Sequence, residues 1–154
     1  MYSITQIKPR QVRLYEEMND LFATAFMDNE SYIGNRPTRK YVNKLLKNKM
    51  FIPLIALDEG KVIGALAAYE LMKFEQERSE IYIYDLAVIE NYRRKGVATS
   101  LINRLKKIAY ERGAYIIFVQ ADTDEEDKPA ISLYSKLGTR EEVLHFDIEV
   151  KEFT

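Results

Sequence analysis

The chain has 154 residues, 47% hydrophobic and 31% charged, a composition that predicts one folded domain over residues 1–154 and excludes disorder. Its 23 basic and 24 acidic residues give a formal net charge of −1 at pH 7, which argues against attraction to nucleic acid or to an anionic membrane. Because it has no cysteine, one histidine and no apolar run of about 18 residues, we expect a cytoplasmic protein without disulfides, metal or a membrane span.

The N-terminal third predicts one strand and two helices. Tyr2 to Ile7 is short and β-prone and is followed by Pro9, which predicts a first strand. Apolar residues three or four positions apart predict a helix from Gln11 to Phe26. The polar stretch from Asp28 to Pro37 predicts a loop, and Thr38 is a suitable N-cap for a second helix.

The middle of the chain is its most strand-prone part. Apolar runs predict three strands, at Phe51 to Leu57, Val62 to Leu71 and Ser79 to Val88. The first two runs are joined by Asp58-Glu59-Gly60-Lys61, whose Glu-Gly pair suits a hairpin turn. Helical spacing of the apolar residues returns at Val97 and ends near Gly113.

The last third predicts a strand from Tyr115 to Ala121, a helix from Pro129 to Leu137 and a strand from Glu142 to Ile148. A further short strand around Thr139 is left open. The resulting order is β-α-α-β-β-β-α-β-α-β. It predicts an α/β fold in which a mixed central β-sheet, antiparallel at its N-terminal strands, carries helices on both faces.

A basic turn containing a glycine lies between the strand that ends at Val88 and the helix that begins at Val97. The first amides of a helix have no backbone acceptor, so they can hold an anion, and Gly96 and Ala98 leave the approach open. Three positive side chains add charge there: Arg93, Arg94 and Lys95. An exposed basic helix start is the alternative, but the position after a buried strand favours a phosphate site. Without a G-x-G-x-x-G motif or a P-loop, dinucleotide and nucleoside triphosphate binding are disfavoured.

The pattern Arg93-x-x-Gly96-x-Ala98 resembles the [Q/R]-x-x-G-x-[G/A] signature of the GNAT superfamily of acetyl-CoA-dependent N-acyltransferases. The predicted element order is also that of this family. The resemblance implies acetyl-CoA as co-substrate, with strand amides that hold its pantetheine arm and polarise the thioester carbonyl. The residues implied to bind it are Leu86, Ala87, Val88, Arg93, Arg94, Lys95, Gly96, Val97, Ala98, Thr99 and Tyr134.

Several blocks more specifically resemble the small aminoglycoside 3-N-acetyltransferases of the GNAT type. The resemblance implies direct acetyl transfer, in a ternary complex, to the 3-amino group of a 2-deoxystreptamine aminoglycoside. The matching blocks are Gly64 to Tyr69, Lys73 to Gln76, Arg78 to Val88, Gly113 to Tyr115, Val119 to Asp122, Arg140 to Val143 and Leu144 to Ile148.

Asp85 is the candidate general base. Strict strand alternation places it on one face with Ile81, Ile83 and Ala87, and burial among apolar neighbours raises the pKa of a carboxyl group. The alternative is a structural Asp paired with an Arg or with backbone amides. The resemblance places Asp85 at the catalytic carboxylate, which also contacts the acceptor.

Tyr134 is the candidate general acid. It lies in a segment that resembles the family's A-x-x-L-Y-x-K-x-G pattern, whose tyrosine approaches the cofactor sulfur. A phenol can protonate the leaving thiolate, whereas simple core packing is the alternative. Thr139 stands where the family usually has Phe.

The predicted acceptor side is acidic. Five of the six residues from Asp122 to Asp127 are acids, whereas the stretch from Arg93 to Lys107 has six bases and no acid. An acidic run is commonly a solvated loop, but it also suits a polycationic acceptor. The resemblance implies acceptor contacts from Asp122, Glu142, His145 and Asp147. His145 can equally be a packed strand residue.

Two other classes of function stay open. Within the same chemistry, the acceptor can be a polyamine or a protein amine. Outside it, the chain can be a non-catalytic sensor that binds acyl-CoA. By analogy with the fold family we also expect a homodimer.

Overall fold

The computed structural model describes residues 1–152, and contacts divide the chain into two compact units, Met1–Gln120 and Ala121–Thr154. The first unit contains β1 (Ser3–Gln6), α1 (Val12–Phe26), α2 (Arg39–Lys47), β2 (Phe51–Asp58), β3 (Lys61–Met72), β4 (Ser79–Val88), α3 (Val97–Arg112) and β5 (Ala114–Val119). The second contains α4 (Lys128–Leu137). Single helical turns lie at Glu30–Gly34, Glu90–Tyr92 and Glu125–Asp127.

The sheet confirms the predicted mixed topology. Its strand order is β1-β2-β3-β4-β5. Each of the first four strands is antiparallel to its neighbour, and β5 runs parallel to β4. The hairpin between β2 and β3 turns through Glu59 and Gly60, whose φ angles of 49° and 77° are both left-handed. A two-residue turn of this hand matches the twist of the paired strands, as the Glu-Gly pair predicted.

One face of the sheet packs against α1 and α2. Their apolar residues form a continuous core with alternate residues of β2 and β3. Thr38 caps α2 as predicted, because its hydroxyl accepts the Tyr41 N–H at 3.2 Å. On this face α1 and β3 leave a space between them, which is part of the cavity described below.

The other face packs against α3, and Gly64 of β3 sets the closeness of that contact. A Cβ at Gly64 would lie 2.8 Å from Val97 Cγ1 and 3.5 Å from Leu101 Cδ1, both on α3. A side chain at position 64 would therefore push the helix away from the sheet. Since Val97 is the first residue of α3, this contact also sets the height of the helix N-terminus above the sheet.

The secondary structure differs from the prediction in two regions of the chain. The predicted strand from Glu142 to Ile148 is wrong, because residues 139–152 form no regular secondary structure, and the open possibility at Thr139 is likewise not realised. Apolar side chains alternate there, but among residues 1–152 no strand pairs with this segment, and Leu144 and Ile148 are 84% and 88% exposed. The predicted loop of residues 28–37 contains the helical turn Glu30–Gly34.

Candidate active site

A bulge in β4 determines which side chains reach the α1 face. Asp85 pairs with Ala67 of β3, and Ile83 pairs with Ala68, so Tyr84 is an extra residue without an opposite partner. An extra residue in one strand reverses the alternation beyond it. Asp85 therefore lies on the face of Ala67, opposite to Ile83. The prediction that Asp85 shares a face with Ile81 and Ile83 is wrong, because alternation alone does not include the bulge.

The bulge turns Asp85 into a cavity of about 200 Å³ between α1, the Glu30–Gly34 turn and the sheet. Nearly half of the lining residues are aromatic, and Asp85 is the one carboxylate among the described lining residues. The aromatic lining consists of Tyr15, Phe22, Tyr32, Phe51, Tyr69 and Tyr84. A carboxylate in a cavity lined by aromatic rings is a suitable environment for an organic ammonium group.

Burial gives Asp85 the protonation behaviour of a base. Burial raises the pKa of Asp85 to about 6, and a hydrogen bond from Tyr32, whose hydroxyl donates to Asp85 Oδ2 at 2.7 Å, opposes the rise. Burial and the same bond raise the pKa of Tyr32 well above its ordinary value. At neutral pH the carboxylate is largely ionised yet able to take up a proton. Its partner is a phenol, not the arginine or backbone amide of the structural alternative.

Tyr32 is a residue of the cavity, bonded to Asp85, that sequence reasoning missed. It lies in a polar stretch read as a loop, 53 positions before Asp85. The signal available in the sequence was an aromatic residue within Asn29-Glu30-Ser31-Tyr32-Ile33, and nothing local connects it to β4.

Beyond the bulge, β4 is no longer paired with β5. Their last paired residues are Ile83 and Val119, whereas β4 continues to pair with β3 as far as Val88. Residues 84–88 therefore have no strand partner on the β5 side among the residues described. Backbone N–H and C=O groups of Leu86 to Val88 on that side can pair with an extended ligand, as an added strand would. The Val88 carbonyl there accepts a bond from Arg93 Nε at 2.9 Å.

The N-terminus of α3 fits an anion. Gly96 is its N-cap with φ 81°, no side chain caps the helix, and its first turn has no acid. The amides of Val97, Ala98 and Thr99 thus carry the positive end of the helix dipole without a side-chain acceptor. Arg94, at φ 61°, curls the backbone before them. These features suit a phosphate group of a bound ligand.

The preceding turn is anchored to the sheet. The Tyr92 hydroxyl donates to Asp58 Oδ2 at 2.5 Å, and Lys95 Nζ lies 5.6 Å from the centre of the Tyr92 ring. The Glu90–Tyr92 turn and the Arg93 contact with Val88 complete the connection. The basic segment is therefore held in place, not a loose helix start.

The remaining predicted site residues lie in the second unit. Tyr134 is on α4, where its carbonyl accepts the Gly138 N–H at 2.9 Å. The Asp122 N–H donates to Asp127 Oδ2 at 2.8 Å, and Arg140 pairs with Glu142 at 3.4 Å.

The structure brings two of these residues together, His145 and Asp147, with Nε2 and Oδ1 2.8 Å apart. Such a pair can offer negative charge and a hydrogen-bond donor to an amine-rich ligand. The acceptor roles of Asp122, Glu142, His145 and Asp147, and the acid role of Tyr134, stay predictions.

Within residues 1–152, no cluster of three or more His, Cys, Asp or Glu side chains is arranged to hold a metal ion. None of the helices in the described part of the chain has the length and apolar character needed to cross a membrane.

A strand that opens away from its parallel neighbour, followed by a helix whose N-terminus suits a diphosphate, defines an acyl-CoA-dependent transferase. The profile of the acetyltransferase (GNAT) family matches residues 12–139, and the chain belongs to that family. Membership makes the protein an acetyltransferase with acetyl-CoA as its co-substrate.

Three relatives are informative. N-alpha-acetyltransferase 30 of Schizosaccharomyces pombe is 31% identical over 108 residues, 68% of each protein. The structure of the aminoglycoside acetyltransferase HMB0005, from an uncultured soil metagenomic sample, is 58% identical with a TM-score of 0.96, covering 98% of this chain and 99% of that one. The aminoglycoside acetyltransferase meta-AAC0020, from a similar sample and in complex with sisomicin, is 29% identical with a TM-score of 0.88 and 97% coverage of both chains.

The anion site gives a prediction with a matched control on the same helix. Gly96 and Gly113 flank α3 with φ angles of 81° and 76°, and neither has an atom within 4 Å of an added Cβ. We expect Gly96→Ala and Gly113→Ala each to lower the free energy of unfolding by about 1 kcal/mol, because both force Ala into the left-handed region. Only Gly96→Ala should weaken CoA binding, by about tenfold.

Isothermal titration with CoA measures the affinities, and urea unfolding measures the stabilities. Equal CoA affinity in Gly96→Ala and the wild type would contradict the anion site.

The buried carboxylate gives a prediction that needs no ligand. Because the pKa of Asp85 is raised to about 6 in the folded state, the folded protein loses stability as the pH rises from about 4 through 6. Asp85→Asn removes this loss, so we expect it to stabilise the protein at pH 7 by about 1–2 kcal/mol, a figure reduced for partial exposure of the side chain.

Urea unfolding between about pH 4 and pH 7 measures the difference between Asp85→Asn and the wild type, which should widen as the pH rises. Glu111→Gln, which removes a carboxylate that is 58% exposed on α3, serves as control and should show no such widening. A constant difference for Asp85→Asn would mean that Asp85 is not perturbed by burial.

Proposed function

We propose that the protein acetylates an aminoglycoside, at the 3-amino group of its 2-deoxystreptamine ring. The observation that carries this proposal is the single carboxylate, Asp85, in the wall of a cavity of about 200 Å³ that is rich in aromatic residues. An amine on a compact ring fits such a cavity as a cation, because tyrosine faces and a carboxylate both favour positive charge. The 58% identity to the aminoglycoside acetyltransferase HMB0005, over nearly the whole chain, supports the same acceptor.

In the proposed reaction the acceptor enters as an ammonium ion and Asp85 takes up one of its protons. The neutral amine then attacks the thioester carbonyl, forming a C–N bond, while a backbone N–H in the unpaired part of β4 stabilises the developing oxyanion. The C–S bond breaks, and Tyr134 donates its phenolic proton to the leaving thiolate. The nitrogen then gives up its second proton, which restores the Tyr134 phenol through solvent, and Asp85 releases the first proton to solvent. Asp85 and Tyr134 are the proposed catalytic residues, and no covalent intermediate on the protein is needed.

The same strand positions both substrates. Leu86 to Val88 pair with the pantetheine arm, and the amides of Val97 to Thr99, with Arg93 to Lys95, bind the diphosphate. Asp85 precedes these residues directly, so the acceptor amine and the thioester meet at adjacent positions of β4. Holding two reactants in this way can supply about 7–11 kcal/mol of the barrier reduction.

The distribution of charge supports a polycationic acceptor. Residues 122–127 contain five acids, and Glu142 and Asp147 add two more in the second unit. Such a surface attracts an aminoglycoside at a distance. We propose that Asp122, Glu142, His145 and Asp147 contact its other amines, whereas Asp85 receives the reacting one. Because acetyl-CoA is made inside cells, we also propose a cytoplasmic location. Since the proposed acceptor is an antibiotic, we propose a role in antibiotic resistance.

A second candidate acceptor is a protein N-terminal amine. The observation that favours it is the 31% identity to N-alpha-acetyltransferase 30 of Schizosaccharomyces pombe over 68% of the chain. A protein N-terminal amine is also a cation before reaction, so Asp85 can accept a proton from it as well. A peptide, however, does not need the acidic residues of the second unit.

A thiol-release assay distinguishes these acceptors. We expect kcat/KM for sisomicin and gentamicin to exceed that for spermidine or peptides by about tenfold or more, because only the ring-borne amines match both the cavity and the acidic surface. NMR of the product locates the acetyl group, expected on N3. Strong activity on peptides alone would establish the second candidate, and CoA binding without turnover on any amine would establish a sensor.

In the same assay Asp85→Asn should lower kcat by about 10²- to 10⁴-fold while acetyl-CoA affinity is kept, since a general base contributes that much. Glu111→Gln removes a carboxylate on α3 and is the matched control. Normal turnover in Asp85→Asn would overturn the base assignment.

We also propose that the protein is a homodimer, because five apolar side chains between Val143 and Val150 are exposed: Val143, Leu144, Phe146, Ile148 and Val150. Large apolar patches commonly mark association surfaces. Sedimentation equilibrium should give twice the chain mass of 18.1 kDa, and Ile148→Ser should weaken the dimer. Tyr110→Ser, at a position that is equally exposed at 88%, is the control and should not. A monomer at micromolar concentration would overturn the proposal.

A further inference from the structure

The contact between Tyr32 and Asp85 joins two distant parts of the chain at the reacting group. The Tyr32 hydroxyl donates to Asp85 Oδ2 at 2.7 Å in a partly buried position. Among the residues described it is the only hydrogen bond to this carboxylate. A phenol has one proton to donate, so it occupies one carboxylate oxygen and leaves Oδ1 for another donor.

Tyr32 is held in position by its own segment and by α1. Its ring packs on Phe22 and Phe26, with centroids 5.8 and 6.0 Å apart. Asp28 Oδ1 accepts the Ser31 N–H at 3.0 Å, which fixes the start of the turn. At its far end Arg36 forms an ion pair with Asp20 of α1. These contacts hold the segment from Asp28 to Arg36 in place, and with it the Tyr32 hydroxyl next to Asp85.

We propose that Tyr32 is a positioning residue, whose hydroxyl fixes one oxygen of Asp85 and directs the other toward the acceptor amine. This inference rests on the proposed role of Asp85 as general base. A fixed carboxylate presents its free oxygen at one place, which lowers the entropic cost of proton transfer. The phenol also favours the ionised form of Asp85, because it donates to that form.

The other groups that face Asp85 cannot replace this bond. Tyr15 from α1, Tyr69 from β3 and Tyr82 and Tyr84 from β4 surround it, and the described cavity wall contains no Lys or Arg. None of these phenols is hydrogen-bonded to the carboxylate. Burial raises the pKa of Asp85, and the bond from Tyr32 opposes that rise. Loss of the Tyr32 hydroxyl should therefore raise the pKa of Asp85 further.

The test compares Tyr32→Phe with Tyr69→Phe, two variants that each remove one hydroxyl from the same cavity. In Tyr32→Phe the acid limb of kcat/KM should move about 1 unit to higher pH. On the plateau kcat should fall about 3- to 10-fold, with KM for acetyl-CoA unchanged. In Tyr69→Phe the acid limb should stay at its wild-type pH, whatever the change in KM. An unmoved acid limb in Tyr32→Phe would overturn the proposal.

A second readout does not depend on the acceptor. Carboxyl ¹³C NMR, with the Asp85 signal assigned by its loss in Asp85→Asn, gives the titration midpoint of Asp85 directly. The midpoint should be higher in Tyr32→Phe than in the wild type even if aminoglycosides prove not to be substrates, and equal midpoints would refute the proposal. Arg36→Gln, which loosens the turn without touching Asp85, should shift the midpoint in the same direction by less; if Tyr32→Phe does not fold, this variant decides.

Discussion

The extra residue at position 84 of β4 is the constraint on which the site depends. Without it, strand alternation would place Asp85 against α3, in the packed face of the sheet, and the cavity under α1 would hold no carboxylate. The same irregularity occurs just where β4 loses β5 as a neighbour. The bulge therefore turns Asp85 into the cavity at the same point where backbone groups of β4 lose their strand partner on the β5 side.

The two halves of the reaction make different demands on the chain. Binding of the donor relies on backbone groups, at the N-terminus of α3 and along β4, which any sequence can supply if the conformation is right. The proposed acceptor chemistry relies on particular side chains, Asp85 above all, in surroundings that shift their protonation. Donor binding is thus a property shared with the family, whereas the acceptor depends on what lines the cavity.

The features predicted from sequence were the local ones. The anion turn was recognisable because its glycine, its charges and its position between strand and helix lie within ten residues. The face of Asp85 was not, since a bulge is defined by pairing with β3. Tyr32 reaches its partner only through packing on α1. The strand expected from Glu142 to Ile148 had the correct alternation, but a strand requires a neighbour, and periodicity carries no information about one.

The bare backbone at Gly64 has a consequence for how the protein can change. Val97 packs on this glycine and is also the first residue of α3, the helix whose N-terminus forms the anion site. The packing of the core therefore determines the position of the anion site. Substitutions beneath α3 would alter cofactor affinity without touching any ligand. The cavity that contains Asp85 lies on the α1 side of the sheet, so side chains of its wall can change without altering the contact between Gly64 and α3.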